Sequence, residues 1–231
     1  MAVPDHAVDG VAARISRLKP SRRLSFVHVS GALRLDALGA LSGNPVGSFH
    51  PLQSFPAPRD PSAFRGITVA VDASSSALRR RLAKLARDVG ARPRHVNDSE
   101  RVLYHAAAVF ASNYVVALVD EAASLLEAIG WSREEALRSL APLMQNALVA
   151  ALEQGPTAAL TGPVRRGDAE TVARHLQALD GLNSRPGDLY RMLGSIALEI
   201  ARRGGLDPKA AGRIERALTR QVAATRRRRQ R

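Results

Sequence analysis

Six histidines are spread over 231 residues, and one of them, His50, stands in the run "FHPLQSFP" (49–56) between a short apolar stretch and Pro51. Gln53 follows three residues later. A similar arrangement occurs earlier in "HVSGAL" (28–33), where His28 and Ser30 precede Gly31. In open α/β sheets, ligands bind beyond the carboxyl ends of the strands. Ser30, Gly31, His50 and Gln53 are therefore candidate lining residues. An imidazole can polarise a carbonyl or exchange a proton, because its ordinary pKa lies near neutrality. The plainer alternative is that His50-Pro51 ends a strand, with the ring bonded to a nearby carbonyl. His28 lies inside its apolar run and reads as structural.

A second polar set lies in "YHAAAVFASNYVVAL" (104–118). On a helix, Ser112 falls about 20° and Asn113 about 80° from His105, with about 10–12 Å of axial separation. The three share a side and could touch two ends of one ligand. They could equally make helix–helix hydrogen bonds in a core. "TGPVRRGD" places Arg165 and Arg166 before a helix N-terminus, where dipole and guanidinium favour an anion such as a substrate carboxylate. A solvated loop charge is the other reading. Tyr190 could donate from its phenol or simply pack. No metal site is expected, because no H-x-x-x-H or carboxylate–histidine spacing exists. No G-x-S-x-G elbow of a serine hydrolase is present.

These residues need elements to hold them. "LSFVHVS" (24–30), "PVGSFH" (45–50) and "GITVAVDA" (66–73) read as strands, and "RPRHV" as a short edge strand that tolerates Pro93. Helical spacing fills "DHAVDGVAARISRL", with Asp5 as its cap, and "SSSALRRRLAKLARDVG". From Asp98 onward the pattern is helical. Residues 99–129 read as one long helix, apolar on nearly every side and so expected to be buried on nearly every side. Ser132 with Glu135 forms a capping box for the next helix. Residues 155–168 read as a Gly- and Pro-rich loop. Asp168 caps the following helix, another is entered near Pro186, and Asp207-Pro208 opens the last. The expected organisation is an α/β part over 1–97, a helical part over 98–222 and a basic, disordered tail over 223–231.

Composition narrows the class. The chain has no cysteine, which excludes disulfides, thiolate metal sites and a cysteine nucleophile. Its N-terminus has neither the basic nor the apolar region of a signal peptide, and no apolar run reaches about 18 residues, so no membrane association is expected. Together these suggest a cytoplasmic protein. Part of the net charge of +13 sits in the tail "RRRRQR". Such a tail can hold nucleic acid. Aromatic residues are not interleaved with the arginines, so nucleic acid is not the expected partner.

Six motifs occur in order: "AVPD", "HVSGAL", "GSFHPLQSFP", "YHAAAVFASNYVVAL", "GPTAALTGPVRRGD" and "LYRMLGSIAL". Together they resemble the Rossmann-like proteins that carry domain of unknown function 2520. That family is similar to the wider group of NAD(P)-dependent reductases with a 6-phosphogluconate-dehydrogenase-like helical domain, ketopantoate reductase among them. The resemblance implies a partial Rossmann-like parallel sheet followed by an all-helical domain. It implies NADP or NAD as cofactor, a small-molecule substrate and a homodimer. The implied reaction is hydride transfer to or from a small carbonyl, imine or hydroxy compound. In that reading His105 takes the place of the catalytic lysine of ketopantoate-reductase-like proteins. Asn113 and Ser112 face the substrate, Ser30, Gly31, His50 and Gln53 face the cofactor, and Arg165, Arg166 and Tyr190 bind substrate.

The sequence departs from the family in one respect. No G-x-G-x-x-G turn follows a strand and opens a helix. "AVPD" resembles the end of the family's fourth strand, so the chain is expected to lack the first strands of the nucleotide-binding sheet. Two other functions stay open: a non-catalytic helical dimerisation remnant of such a reductase, and a basic nucleic-acid-binding protein. Because the missing turn supplies the backbone N–H groups that hold a pyrophosphate, calorimetry should find no NADPH binding to this chain alone. A chain extended by its upstream reading frame should bind. Tight binding to the chain as given would overturn the account of the turn.

Overall fold

The computed structural model describes residues 1–182 and 184–219. The basic tail expected at 223–231 lies outside the described residues. Two compact units divide after Ala117.

The first unit holds a four-stranded sheet: β1 (Phe26–His28), β2 (Val46–Pro51), β3 (Thr68–Ala73) and β4 (Arg92–His95), in that spatial order. β1/β2 and β3/β4 are parallel, whereas β2/β3 is antiparallel. The central pair thus departs from an all-parallel expectation. Strand direction is not encoded in apolar patterning; it follows from the long excursion between Pro51 and Thr68. Helix α1 (Val8–Arg17) and a 3₁₀ segment, Leu35–Leu41, bury Val8, Ala12, Leu38 and Leu41 together with Val46. Helix α2 (Ser76–Asp88) packs Leu78, Leu82 and Ala86 against Val69, Val71 and Ala73. Ser75 starts α2 by accepting a hydrogen bond from the Leu78 amide. Asp5 does not cap α1 as expected; its carboxylate accepts from the Ser30 hydroxyl at 2.8 Å, tying the chain start to the end of β1.

One row of the sheet is polar. His28 on β1, Ser48 on β2 and Asp72 on β3 are register neighbours, and all three are buried. Asp72 lies 3.0 Å from His95 Nε2. The fully buried guanidinium of Arg101 donates to Ser48 Oγ at 2.5 Å and reaches the carbonyls of Ser30 and Val96 at 3.4 Å. Asp98 balances it at 3.7 Å from Nε.

The long helix expected over 99–129 is two helices: α3 (Arg101–Ala111) and α4 (Asn113–Glu127). Ser112 breaks the run with φ −125° and ψ −73°, and its amide donates back to Val109 at a stretched 3.4 Å. The expected all-round burial is also absent. Val102, Leu103, Phe110, Tyr114 and Val116 are exposed, and only Arg101 and Ala123 are buried along the two helices. Arg101–Glu127 is long and apolar enough, by length and composition, to cross a membrane. Apolar composition signals a surface that avoids water but not what covers it.

The second unit continues with α5 (Arg133–Gln154), α6 (Pro156–Ala159), α7 (Gly162–Arg166), α8 (Ala169–Leu182), α9 (Ser184–Arg203) and α10 (Pro208–Thr219). Ser132 and Glu135 form the expected capping box, and Asp207 caps α10 through the Ala210 amide. The stretch 155–168, expected as loop, contains the short helices α6 and α7, each with proline in its first turn. Val164, Val172, Leu176, Leu198, Ile214 and Leu218 make the core of this unit.

Candidate functional site

The end of β2 and the first turns of α3 meet in the first unit. There, His50, Gln53, Tyr104, His105, Ser112 and Asn113 line an open pocket of about 770 Å³. The structure thus gathers five of the sequence-derived candidates, even though the helix carrying three of them is broken. The break at Ser112 sits in the pocket wall, so Ser112 and Asn113 are held by a helix end and a helix start.

His50 is paired with Ala70 across β2/β3, which fixes its backbone. Its ring is held from two sides. Nδ1 lies 2.9 Å from the Tyr104 hydroxyl, with the two rings edge to face. The His105 ring stands 6.1 Å away between centroids, also edge to face. Both imidazoles close on Gly31. A Cβ at that position would lie 2.6 Å from His105 Nδ1 and 2.7 Å from His50 Nε2. Glycine is required there by close approach rather than by a special φ. His105 Nδ1 is buried without a hydrogen-bond partner. Such groups are rare and costly in folded proteins, and sites of chemistry are among the places that retain them.

Burial lowers the His50 pKa to about 4, and the neighbouring His105 and Arg101 add to the effect. Burial also raises the Tyr104 phenol. At neutral pH the pair is therefore a neutral imidazole and a protonated phenol. Sequence reasoning missed Tyr104, because a tyrosine in an apolar helix reads as packing. It also missed Arg101, because an arginine in a first helical turn reads as solvated charge.

The other candidates lie elsewhere or are already engaged. Ser30 is buried; its hydroxyl donates to Asp5 and accepts from the amides of Ala32 and Leu33. It shapes the turn that presents Gly31. Arg165, Arg166 and Tyr190 belong to the second unit. Arg165 donates to the Gly204 carbonyl at 3.2 Å, Arg166 is exposed, and the Tyr190 hydroxyl lies 2.9 Å from His175 Nδ1. The helix N-terminus that the sequence offered to a substrate anion is filled by Asp168, which accepts from the amide and hydroxyl of Thr171 and is held below the usual carboxylate range by those bonds. Among the described residues, no group of three or more metal-ligating side chains converges.

Residues 67–220 match the family model of Domain of unknown function (DUF2520), about two thirds of the chain, and the protein belongs to that family. No curated protein matches the sequence. Among solved structures, the fold is similar to the "putative NADP oxidoreductase BF3122" of Bacteroides fragilis, with a TM-score of 0.71 and 24% identity over 87% of this chain and 74% of the other. It is also similar to protein TM1727 of Thermotoga maritima, with a TM-score of 0.72 and 24% identity over 87% and 77% of the two chains. Pyrroline carboxylate reductase of Plasmodium falciparum, solved with NADP bound, aligns over 95% and 79% at a TM-score of 0.50 and 10% identity. These likenesses establish a Rossmann-like α/β layer followed by a helical region.

The site has a pH signature. The fully buried His28 ring also has its pKa lowered to about 4, chiefly by burial and then by Arg101. In the unfolded chain both rings bind a proton near 6.5, so between 6.5 and 4 the unfolded state holds more protons. The contribution of these two imidazoles to stability should therefore be full above pH 6.5, decline as pH falls through this window and level off below it. His28 alone should contribute on the order of 3 kcal/mol of this decline. Urea denaturation at a series of pH values measures it. His28→Phe should make the slope shallower, and a flat profile for the native chain would contradict the buried, neutral imidazoles.

Proposed function

We propose that the protein is an NAD(P)-dependent oxidoreductase that acts on a small carbonyl, imine or hydroxy compound in the pocket of His50 and His105. The observation that supports it best is the convergence of two imidazoles on the bare Cα of Gly31, at the strand end where α/β folds bind ligands. The fold it shares with a structure named as an NADP oxidoreductase supports the same reading. NADP or NAD supplies or takes the hydride when bound. His105 holds and moves the proton, Asn113 orients the substrate with Ser112 beside it, and His50 and Gln53 line the nicotinamide side. Gly31, on the turn built by Ser30, lets the two imidazoles pack against the backbone there.

The described residues fit the reacting end of such a cofactor better than its phosphates. Of the two α-helices that follow strands, α2 has its first turn closed by Ser75 and α3 is reached through residues 96–100, and neither junction contains a glycine. That observation favours a second reading, a non-catalytic helical module of the same family. NADPH consumption across a panel of 2-oxo acids, imines and hydroxy acids separates the two. In a preparation that binds NADPH, His105→Gln should lower kcat by roughly 10²–10⁴-fold. Turnover unchanged by that substitution would remove His105 from the chemistry.

We also propose that the exposed apolar faces are covered by a second copy of the chain. Val102, Leu103, Phe110 and Val116 on α3 and α4, and Leu143 and Leu152 on α5, are each at least 66% exposed. A bilayer suits α3 and α4 poorly. Ser112 interrupts their backbone ladder, and α4 carries Asp120 and Glu121, the first paired with Arg133 of α5. Sedimentation should give twice the mass of one chain. A monomer, or co-sedimentation with lipid vesicles, would overturn this assignment.

A further inference from the structure

The pocket beside His50 takes its polar lining from two places. Gln53 and Ser54 follow β2, and Ser112 and Asn113 stand at the break between α3 and α4. Apart from Tyr104 and the two histidines, the rest of the wall is aliphatic, with Leu52, Ala107, Ala108, Val109, Ala111 and Val115. Among the described residues that line it, none is a lysine, arginine, aspartate or glutamate, although the chain as a whole carries a net charge of +13. His50 is neutral near pH 7, since burial lowers its pKa to about 4, and the Tyr104 phenol keeps its proton. Arg101, one helical turn before Tyr104, is fully buried and offers no surface to a ligand. Its guanidinium donates to Ser48 and to two carbonyls, with Asp98 beside it.

We infer that this pocket selects an uncharged, largely apolar small molecule, and that it holds neutral hydrogen-bonding groups rather than a carboxylate or a phosphate. An ionised carboxylate brought against an aliphatic wall is strongly disfavoured unless a cation meets it. At the open mouth such a group keeps its water, but the rest of its molecule then gives up the alanine and valine contacts. Amide and hydroxyl side chains both donate and accept, so Gln53, Ser54, Ser112 and Asn113 suit a carbonyl, a hydroxyl or a neutral imine without a counter-charge. A volume of about 770 Å³ takes a ligand of small-molecule size. The inference rests on the oxidoreductase reading and narrows it. Among carbonyl compounds it favours neutral ketones, neutral imines and the corresponding alcohols over 2-oxo acids.

Benzoylformate and its methyl ester form a matched pair of probes, one a charged 2-oxo acid and the other neutral. Each is titrated into the ¹⁵N-labelled chain without cofactor at about pH 8, where an imidazole of ordinary pKa is neutral. The side-chain amides of Gln53 and Asn113 report occupancy of the pocket. The ester should shift both, and the carboxylate should bind at least about tenfold more weakly. Equal or tighter binding of the carboxylate would overturn the inference. So would shifts confined to the exposed apolar faces of α3 to α5, or no binding by either probe. Gln53→Arg, a substitution at an exposed position, supplies a cation and should reverse the order of the pair. An unchanged order would show that charge in the pocket does not set the choice. The oxidoreductase reading fails separately. A chain that prefers the ester but never consumes NADPH keeps its ligand class and loses the reaction. One that reduces acid and ester equally well keeps the reaction and loses the selectivity.

Discussion

The geometry of the pocket depends on one buried cation. Arg101 enters the first unit at the start of α3 and bonds to Ser48 on β2, to the carbonyl of Ser30 two residues past β1 and to the carbonyl just past β4. A guanidinium taken out of water is costly unless its donors are used, so those contacts leave little freedom in where α3 begins. The next turn then places Tyr104 and His105 beside His50. A buried lysine, with a point charge and no planar fork, would not span three strands in this way. Burial keeps the imidazoles of His28 and His50 neutral, and the same cation adds to the effect at both.

The polar row of the sheet and the polar pocket form one continuous piece of chemistry. His28, Ser48 and Asp72 line up across three strands on a surface that would otherwise be apolar. Ser48 meets the guanidinium and Asp72 meets His95, while the two nitrogens of His28 have no partner among the described residues. A core of this kind is less stable than one filled with aliphatic side chains of the same volume. The cost falls in the half of the fold that presents His50, while α7 to α10 keep an ordinary aliphatic core.

Much of this arrangement was legible in the sequence, and the legible parts share a cause. Ser75, Ser132 with Glu135, Asp168 and Asp207-Pro208 declare helix starts through bonds between a side chain and its own backbone, which neighbouring residues alone determine. His50, His105, Ser112 and Asn113 could be grouped because strand ends and helical spacing constrain direction. Three things could not be read. The reversal between β2 and β3 depends on a chain excursion with no periodicity. The break at Ser112 has no glycine or proline to announce it. The exposure of α3 and α4 is not encoded either, because an apolar helix reads the same whether its faces are buried within the chain or left open. Tyr104 and Arg101 were invisible for a different reason: each is an ordinary residue for a helix and gains its role from strands far away in sequence.

Gly31 has a consequence for how this site tolerates change. Its φ is not in the left-handed region, so the backbone conformation itself would accept alanine there. The added carbon would nevertheless wedge between two aromatic rings. Change at position 31 is thus barred by the two rings packed on it rather than by its own backbone. A side chain at 31 therefore becomes possible only together with a smaller residue, or a shifted ring, at position 50 or 105.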